Sequence, residues 1–289
     1  MEQKSVQALA SVTRKGRPAP DGPPLAGFGQ FCFTALNWSH VVYQVGSRDA
    51  PAVLVLQELP GLAPGLIDFV RRLATAGYQV YLPWLFGPVG SRSPARNFLR
   101  LCISREFGYL RKGVTAPLAQ WLRELVSYIS AQNQDCAVAA VGMCVTGGFA
   151  IPLLLHPRVR TAVAAQPSIP VSLRFLEFGT GGARTRSALA VSEADLVAAR
   201  ERLATGSRLM AVRCVADRIC PADKMARLQR EFPVGLTVHQ YGDADTINVA
   251  GERPHATYTK EYRLAPPDDP LHYARIAFDE LVAFLRANQ

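Results

Sequence analysis

AVAAVGMCVTGGFA, residues 137–150, opens with an apolar run from Ala137 to Val141 and breaks at Gly142. Cys144 follows, then Gly147 and Gly148, then a renewed apolar pattern through Leu153–Leu155. This reads as a buried strand, a tight glycine-bounded turn with a thiol at its tip, and a helix. It is the layout of a nucleophile elbow with cysteine where serine is more usual. Small residues on either side let the backbone pass closely while one side chain is lifted clear of the sheet. A helix starting there aims its N–H groups at the site, which favours a thiolate and a developing oxyanion. The turn alone admits a second reading, a buried structural cysteine at a strand end, because free cysteine is among the most buried residue types. The rest of the chain has to choose.

Outward from the elbow, strands and helices alternate. Upstream, AVLVLQELPG (52–61) is a continuous apolar run of the buried parallel type, followed by an amphipathic helix Pro64–Ala76 and a strand within 78–87 that Pro83 and Gly87 terminate. FCFTALNW and HVVYQVG before it form a strand pair. A helix Ala116–Ala131 leads into the elbow. Downstream come a strand at 161–168, a helix opened by a Ser192 cap with Asp195, and a strand at 209–217. Helix Asp223–Glu231, strand Leu236–Tyr241, a long loop Gly242–Tyr258 and helix Leu271–Ala287 finish the chain. A strand–helix–strand order without internal repeat or linker predicts one doubly wound α/β domain over residues 30–289, with a mostly parallel sheet. Residues 1–29 are basic and rich in proline and glycine and read as an N-terminal arm; 169–191, with FGTGGARTR, reads as a loop or lid.

Composition narrows the function classes. The chain has 289 residues, 49% hydrophobic and 19% charged, enough for one sizeable core. No apolar run reaches the roughly 20 residues of a membrane span, and the first residues lack the apolar core of a secretory signal. The net charge of +9 is spread over many arginines without a basic block, so nucleic acid and membrane are not expected partners. Six cysteines without a CxxC pair fit reduced cytoplasmic thiols. Histidines and cysteines lack ligand spacing, so neither a metal nor a cofactor is expected.

Three further residues fall at strand ends. Asp217 follows an apolar strand, His255 lies in the loop after the next one, and Glu58 ends the strand before the first helix. Asp243 and Asp245 are rival acids from the following loop. Nucleophile, acid and histidine thus occur in the chain order found in α/β-hydrolases. The segments VLVLQELPG with Glu58, VGMCVTGG with Cys144, ADRICP with Asp217 and PHATYT with His255 together resemble the dienelactone hydrolase family, across roughly residues 30–289.

The resemblance implies an α/β-hydrolase domain in which a Cys144–His255–Asp217 triad cleaves a small ester or lactone, as a carboxylesterase. It also implies a Glu58 that contacts the resting nucleophile. Backbone N–H groups of Leu59 and Val145 are the expected oxyanion hole. Arg96, Arg100 or Arg105, and Tyr258, are the substrate-binding candidates, Arg105 and Tyr258 foremost. Thr146 stands where the type enzyme has glycine. Ala256, Thr257, Tyr258 and Thr259 stand where it places a carboxylate-gripping arginine. These departures bear on the substrate and leave the hydrolytic chemistry in place. A homodimer is compatible with this reading. Two other readings stay open: a hydrolase-fold ligand binder without turnover, and a thiol redox sensor pairing Cys144 with Cys102 or Cys220.

Overall fold

The computed structural model describes residues 22–87, 115–168, 189 and 191–289. The readings on Arg96, Arg100, Cys102 and Arg105, on residues 1–21 of the arm and on most of 169–191 lie outside the described residues. The chain enters the sheet through an antiparallel hairpin, β1 (Gly29–Ala35) and β2 (Trp38–Val45). Leu36 and Asn37 turn it with φ of 52° and 69°, the left-handed pair that matches the twist of a tight hairpin.

Beyond the hairpin the runs lose their alternation, and each becomes a strand covered on both faces. These are β3 (Ala52–Val55), β4 (Gln79–Pro83), β5 (Val138–Met143), β6 (Thr161–Ala165) and β7 (Arg208–Cys214). β8 (Leu236–Tyr241) closes the sheet, whose order is β1-β2-β4-β3-β5-β6-β7-β8. Among the described residues, only the β1–β2 and β2–β4 pairings are antiparallel. From β4 through β8 every pairing is parallel, so these strands end at one edge of the sheet.

Two apolar layers sandwich the sheet. On one face lie α1 (Pro64–Thr75), through Leu66, Phe69, Val70 and Leu73, and the last helix, through Phe278, Leu281 and Leu285. On the other lie α2 (Pro117–Gln132), α3 (Glu193–Ala204) and α4 (Ala222–Glu231), through residues such as Trp121, Leu125, Leu196 and Leu228. The last helix is α5 (Tyr273–Asn288). Strand side chains divide between the layers by parity: Leu54 and Ala140 face one, Val53, Val55 and Val141 the other.

The expected elements are present, with shifted ends. Ser192 caps α3, its hydroxyl accepting the Asp195 N–H at 3.1 Å. Asp223 sits in the first turn of α4 rather than at its cap, which is Pro221. β7 stops at Cys214, three residues short of Asp217, because the chain turns there to bring its carbonyls and N–H groups round Asp217 and Arg213. Within the segment taken as loop up to Tyr258, a π-type turn Thr257–Glu261 begins and runs into the short helix Tyr262–Leu264.

Two glycines let the β5 end pack without side chains. A Cβ at Gly142 would lie 2.4 Å from the Thr146 carbonyl oxygen, and one at Gly147 would lie 2.7 Å from Pro167 Cα. Both neighbours are backbone and cannot step aside. Gly142→Ala is therefore expected to destabilise the fold by about 2 kcal/mol, the usual scale for overpacking a tight interior. Urea unfolding measures it; a midpoint equal to wild type would remove the close approach as the reason for glycine.

Candidate active site

The parallel register carries five loops to one sheet edge. Glu58 follows β3, Cys144 follows β5, Gln166 and Ser168 follow β6, Asp217 follows β7 and His255 follows β8. Open α/β sheets place their sites at this edge because the loops there leave adjacent strands in the same direction.

Cys144 has φ +50°, a left-handed conformation that non-glycine residues adopt only when their surroundings impose it. The imposing contacts are local. Thr146 Oγ1 accepts the Met143 N–H at 3.1 Å and donates to the Met143 carbonyl at 3.0 Å, clamping the turn from within. The Cys144 carbonyl accepts the Ser168 N–H at 2.9 Å, tying the turn to the end of β6. Downstream of the nucleophile the chain forms a 3₁₀ turn, Cys144–Phe149, and then the short helix Ala150–Leu153. The expected single helix is broken up because Gly147 and Gly148 are poor helix formers and Pro152 lacks an N–H.

The structure brings Cys144, His255 and Asp217 into one line. His255 Nε2 lies 3.1 Å from Cys144 Sγ, and His255 Nδ1 lies 2.7 Å from Asp217 Oδ2. The other Asp217 oxygen accepts the N–H groups of Ile219 at 2.7 Å and Cys220 at 3.0 Å, which aims the carboxylate at the ring. The Asp217 side chain is fully buried, while that of His255 keeps 17% exposure. Burial alone pushes the imidazole down. The negative charge of a Cys144 thiolate and the Asp217 hydrogen bond outweigh it and hold His255 well above the ordinary histidine value. Asp243 and Asp245 stay in an exposed turn, where Asp243 Oδ1 accepts from the Asp245 N–H at 2.9 Å and the Thr246 hydroxyl at 3.0 Å.

Glu58 is buried beside this line, but its oxygens face other partners than the sulfur. Thr259 donates its hydroxyl to Oε1, and Gln166 Nε2 donates to Oε2 at 3.2 Å. The place of the implied contact with the resting nucleophile is taken by Ser168, whose Oγ lies 3.2 Å from Cys144 Sγ. Burial pushes the Glu58 carboxyl up, against the hydrogen bond from Thr259 and the charge of His255. A cavity of about 550 Å3 opens on His255, Glu58 and Leu59, with Ile219 and Arg253 among its walls. Val145 adjoins the nucleophile and is buried. Tyr258 takes a different place from the substrate wall: it is buried in the core with its ring stacked on Phe69 at 5.4 Å. Its neighbour Thr259 reaches the cavity instead, because the π-type turn rotates successive side chains away from each other. Among the described residues, no cluster of three His, Cys, Asp or Glu is arranged to hold a metal, and no helix is long and apolar enough to cross a membrane.

Sequence reasoning passed over Ser168, Gln166 and Glu261. The pairing of Met143 with Ala165 would have located the first two, since whatever follows β6 must emerge beside whatever follows β5. Glu261 carries no local signal. It is buried, accepts from Asn248 Nδ2 at 3.2 Å, Tyr273 Oη at 2.9 Å and the His255 N–H at 3.4 Å, and so holds the histidine loop.

The model of the dienelactone hydrolase family matches residues 40–178, the part of the chain that contains Glu58 and Cys144. The resemblance read from the sequence is borne out over that span. Among solved structures the chain is similar to a protein of Klebsiella pneumoniae subsp. pneumoniae MGH 78578 assigned to the dienelactone hydrolases. The identity is 17%, with 90% of this chain and 98% of that one covered and a TM-score of 0.59. It is also similar to the esterase domain of a Rhodothermus marinus protein, at 15% identity, 90% and 99% coverage and a TM-score of 0.52. Est1E from Butyrivibrio proteoclasticus aligns at 8% identity, 90% and 98% coverage and a TM-score of 0.54. At these identities the likeness is one of fold, the α/β-hydrolase fold. No curated protein matches the sequence.

A raised histidine value has a definite sign. The imidazolium contributes stability that is fully present below about pH 6.5, the unfolded value, and is lost as pH rises through the higher folded value. Asp217→Asn removes one of the two groups that raise it. NMR titration of the His255 ring is expected to show its midpoint at lower pH in the variant than in wild type. Superimposable titrations would mean that Asp217 does not support the imidazolium.

Proposed function

We propose that this chain, matched to the dienelactone hydrolase family over residues 40–178, cleaves an ester or lactone through Cys144, His255 and Asp217. The family match supports a carboxylic ester hydrolase. The observation that carries the finer reading is the continuous relay of 3.1 Å from sulfur to imidazole and 2.7 Å from imidazole to carboxylate. A nucleophile, a base and a group that orients the base are the three parts nucleophilic acyl transfer requires.

In this mechanism the Cys144 thiolate attacks the carbonyl carbon. The carbonyl electrons move to oxygen, and that oxyanion is held by the N–H groups of Leu59 and Val145. The tetrahedral species collapses, the C–O bond to the leaving group breaks, and His255 Nε2 gives its proton to the departing alkoxide. In a lactone that alkoxide stays on the same molecule. Water then adds to the thioester while neutral His255 takes one of its protons. Collapse of the second tetrahedral species releases the carboxylic acid and regenerates thiolate and imidazolium. Asp217 keeps Nδ1 protonated throughout, so Nε2 is the nitrogen that exchanges protons.

The reduced thiols support placing this reaction in the cytoplasm: Cys32, Cys136, Cys144, Cys214 and Cys220 are free. Cys220 is poorly suited as a resolving partner in a redox cycle, because burial pushes its thiol up to about 12.

p-Nitrophenyl acetate and small lactones test the proposal on the full chain. Wild type is expected to show a burst followed by turnover. Cys144→Ala is expected to lose the burst and at least about a thousandfold in kcat, the scale of losing a nucleophile. His255→Ala should fall comparably. Turnover by Cys144→Ala at the wild-type rate would overturn the triad.

A further inference from the structure

Among the described residues the Cys144 sulfur has two close polar neighbours, and the triad accounts for one. The other is the Ser168 hydroxyl at 3.2 Å, on a residue that is 6% exposed. Its position does not depend on that hydroxyl. The Ser168 backbone N–H donates to the Cys144 carbonyl at 2.9 Å, so the two residues stay side by side whatever side chain stands at 168. Gln166, two residues earlier, has its own hydrogen bond to Glu58, and together they make the β6 loop one wall of the nucleophile's surroundings.

The direction of the Ser168 bond is set by the charge that the proposed mechanism gives the sulfur. His255 Nε2 faces Sγ at 3.1 Å, and a protonated ring can only donate there. In the thiolate–imidazolium pair of the proposed mechanism the sulfur is an acceptor on both sides, so the hydroxyl donates to it. Glu58 is engaged by Thr259 and Gln166, so its hydrogen bonds go to those partners and not to the sulfur.

We infer that Ser168 is a catalytic residue whose hydroxyl donates to the Cys144 thiolate and favours the ionised over the neutral sulfur. The inference rests on the reading of Cys144 as the nucleophile. Hydrogen bonds to ionised acceptors are about twice as strong as neutral ones. This one weakens as the sulfur becomes a neutral thioester, because the negative charge moves to the substrate oxygen. It therefore enlarges the thiolate population before substrate arrives and lowers the nucleophilicity of each thiolate slightly.

Among the described residues, the titratable groups that face the sulfur or the ring beside it are His255 after β8, Asp217 and Cys220 after β7, and Glu58 after β3. Lys224 on α4 lies behind Cys220. Ser168 variants leave all five in place, so a change in ionisation is assigned to the hydroxyl.

The test is the pH dependence of Cys144 alkylation by iodoacetamide in the full chain, with the adduct mapped to Cys144 by peptide mass. Ser168→Ala is expected to move the midpoint up by about one pH unit, the equivalent of one hydrogen bond to a charged group. Its limiting rate at high pH should be no lower than that of wild type. Ser168→Thr, which keeps the hydroxyl, should restore the wild-type midpoint. If Ser168→Ala superimposes on wild type, or if Ser168→Thr shifts as far as the alanine variant, the hydroxyl has no such role. Cys144→Ala, assayed alongside for esterase turnover, separates the two levels. Inactivity leaves the triad standing whatever Ser168 does, whereas wild-type turnover removes the nucleophile and Ser168's role with it.

Discussion

A cysteine backbone at φ +50° is a strained arrangement, and the site depends on what holds it there. Nothing in the cysteine itself prefers that conformation. Gly142 and Gly147 allow neighbouring backbone to close in, the Thr146 hydroxyl bridges both polar groups of Met143, and the Ser168 N–H takes up the Cys144 carbonyl. The result is a thiol that stands off the end of β5 while remaining almost wholly buried. Without that posture the imidazole from the far loop would have no sulfur to meet.

The histidine reaches the sulfur by a longer route, and its support is electrostatic as much as steric. His255 ends a loop of irregular backbone, which would wander without ties. Glu261 supplies them by gathering Asn248, Tyr273 and the His255 N–H around one buried carboxylate. Behind it, Arg72 lies over the Tyr262 ring at 3.3 Å and donates to the Tyr258 carbonyl at 2.5 Å, pinning the π-type turn to α1. Burial pulls the Arg72 guanidinium down to about 10, which still leaves it charged at neutral pH. The core packing of Tyr258 on Phe69 belongs to this anchorage and explains why that tyrosine is unavailable to the cavity.

Charge in the site is distributed by hydrogen bonds. Asp217 spends one oxygen on two backbone N–H groups and the other on His255, so its direction is set before any substrate binds. Glu58 sits in the same buried region but is occupied by Thr259 and Gln166. Thr259 stands within the stretch where the family resemblance places an arginine, and it gives Glu58 a neutral donor. Two acids at one sheet edge thus have different tasks because their donors differ.

The amino-acid sequence by itself determined the alternation of strands and helices, the parallel sheet, the glycine-bounded turn at Cys144 and the strand-end positions of Asp217 and His255. Those features are legible because they are local: a run without alternation needs cover on both faces, and a strand cut by glycines needs a turn. Only the tertiary structure decided which polar atoms meet. His255 and Cys144 are 111 positions apart, Thr259 and Glu58 are 201 apart, and no periodicity links such pairs. The choice of Asp217 over Asp243, the turning of Glu58 away from the sulfur, the burial of Tyr258 and the approach of Ser168 all follow from strand register and loop path. Register is set by the whole sheet at once, because shifting one strand by a residue would send its entire buried face into the opposite layer.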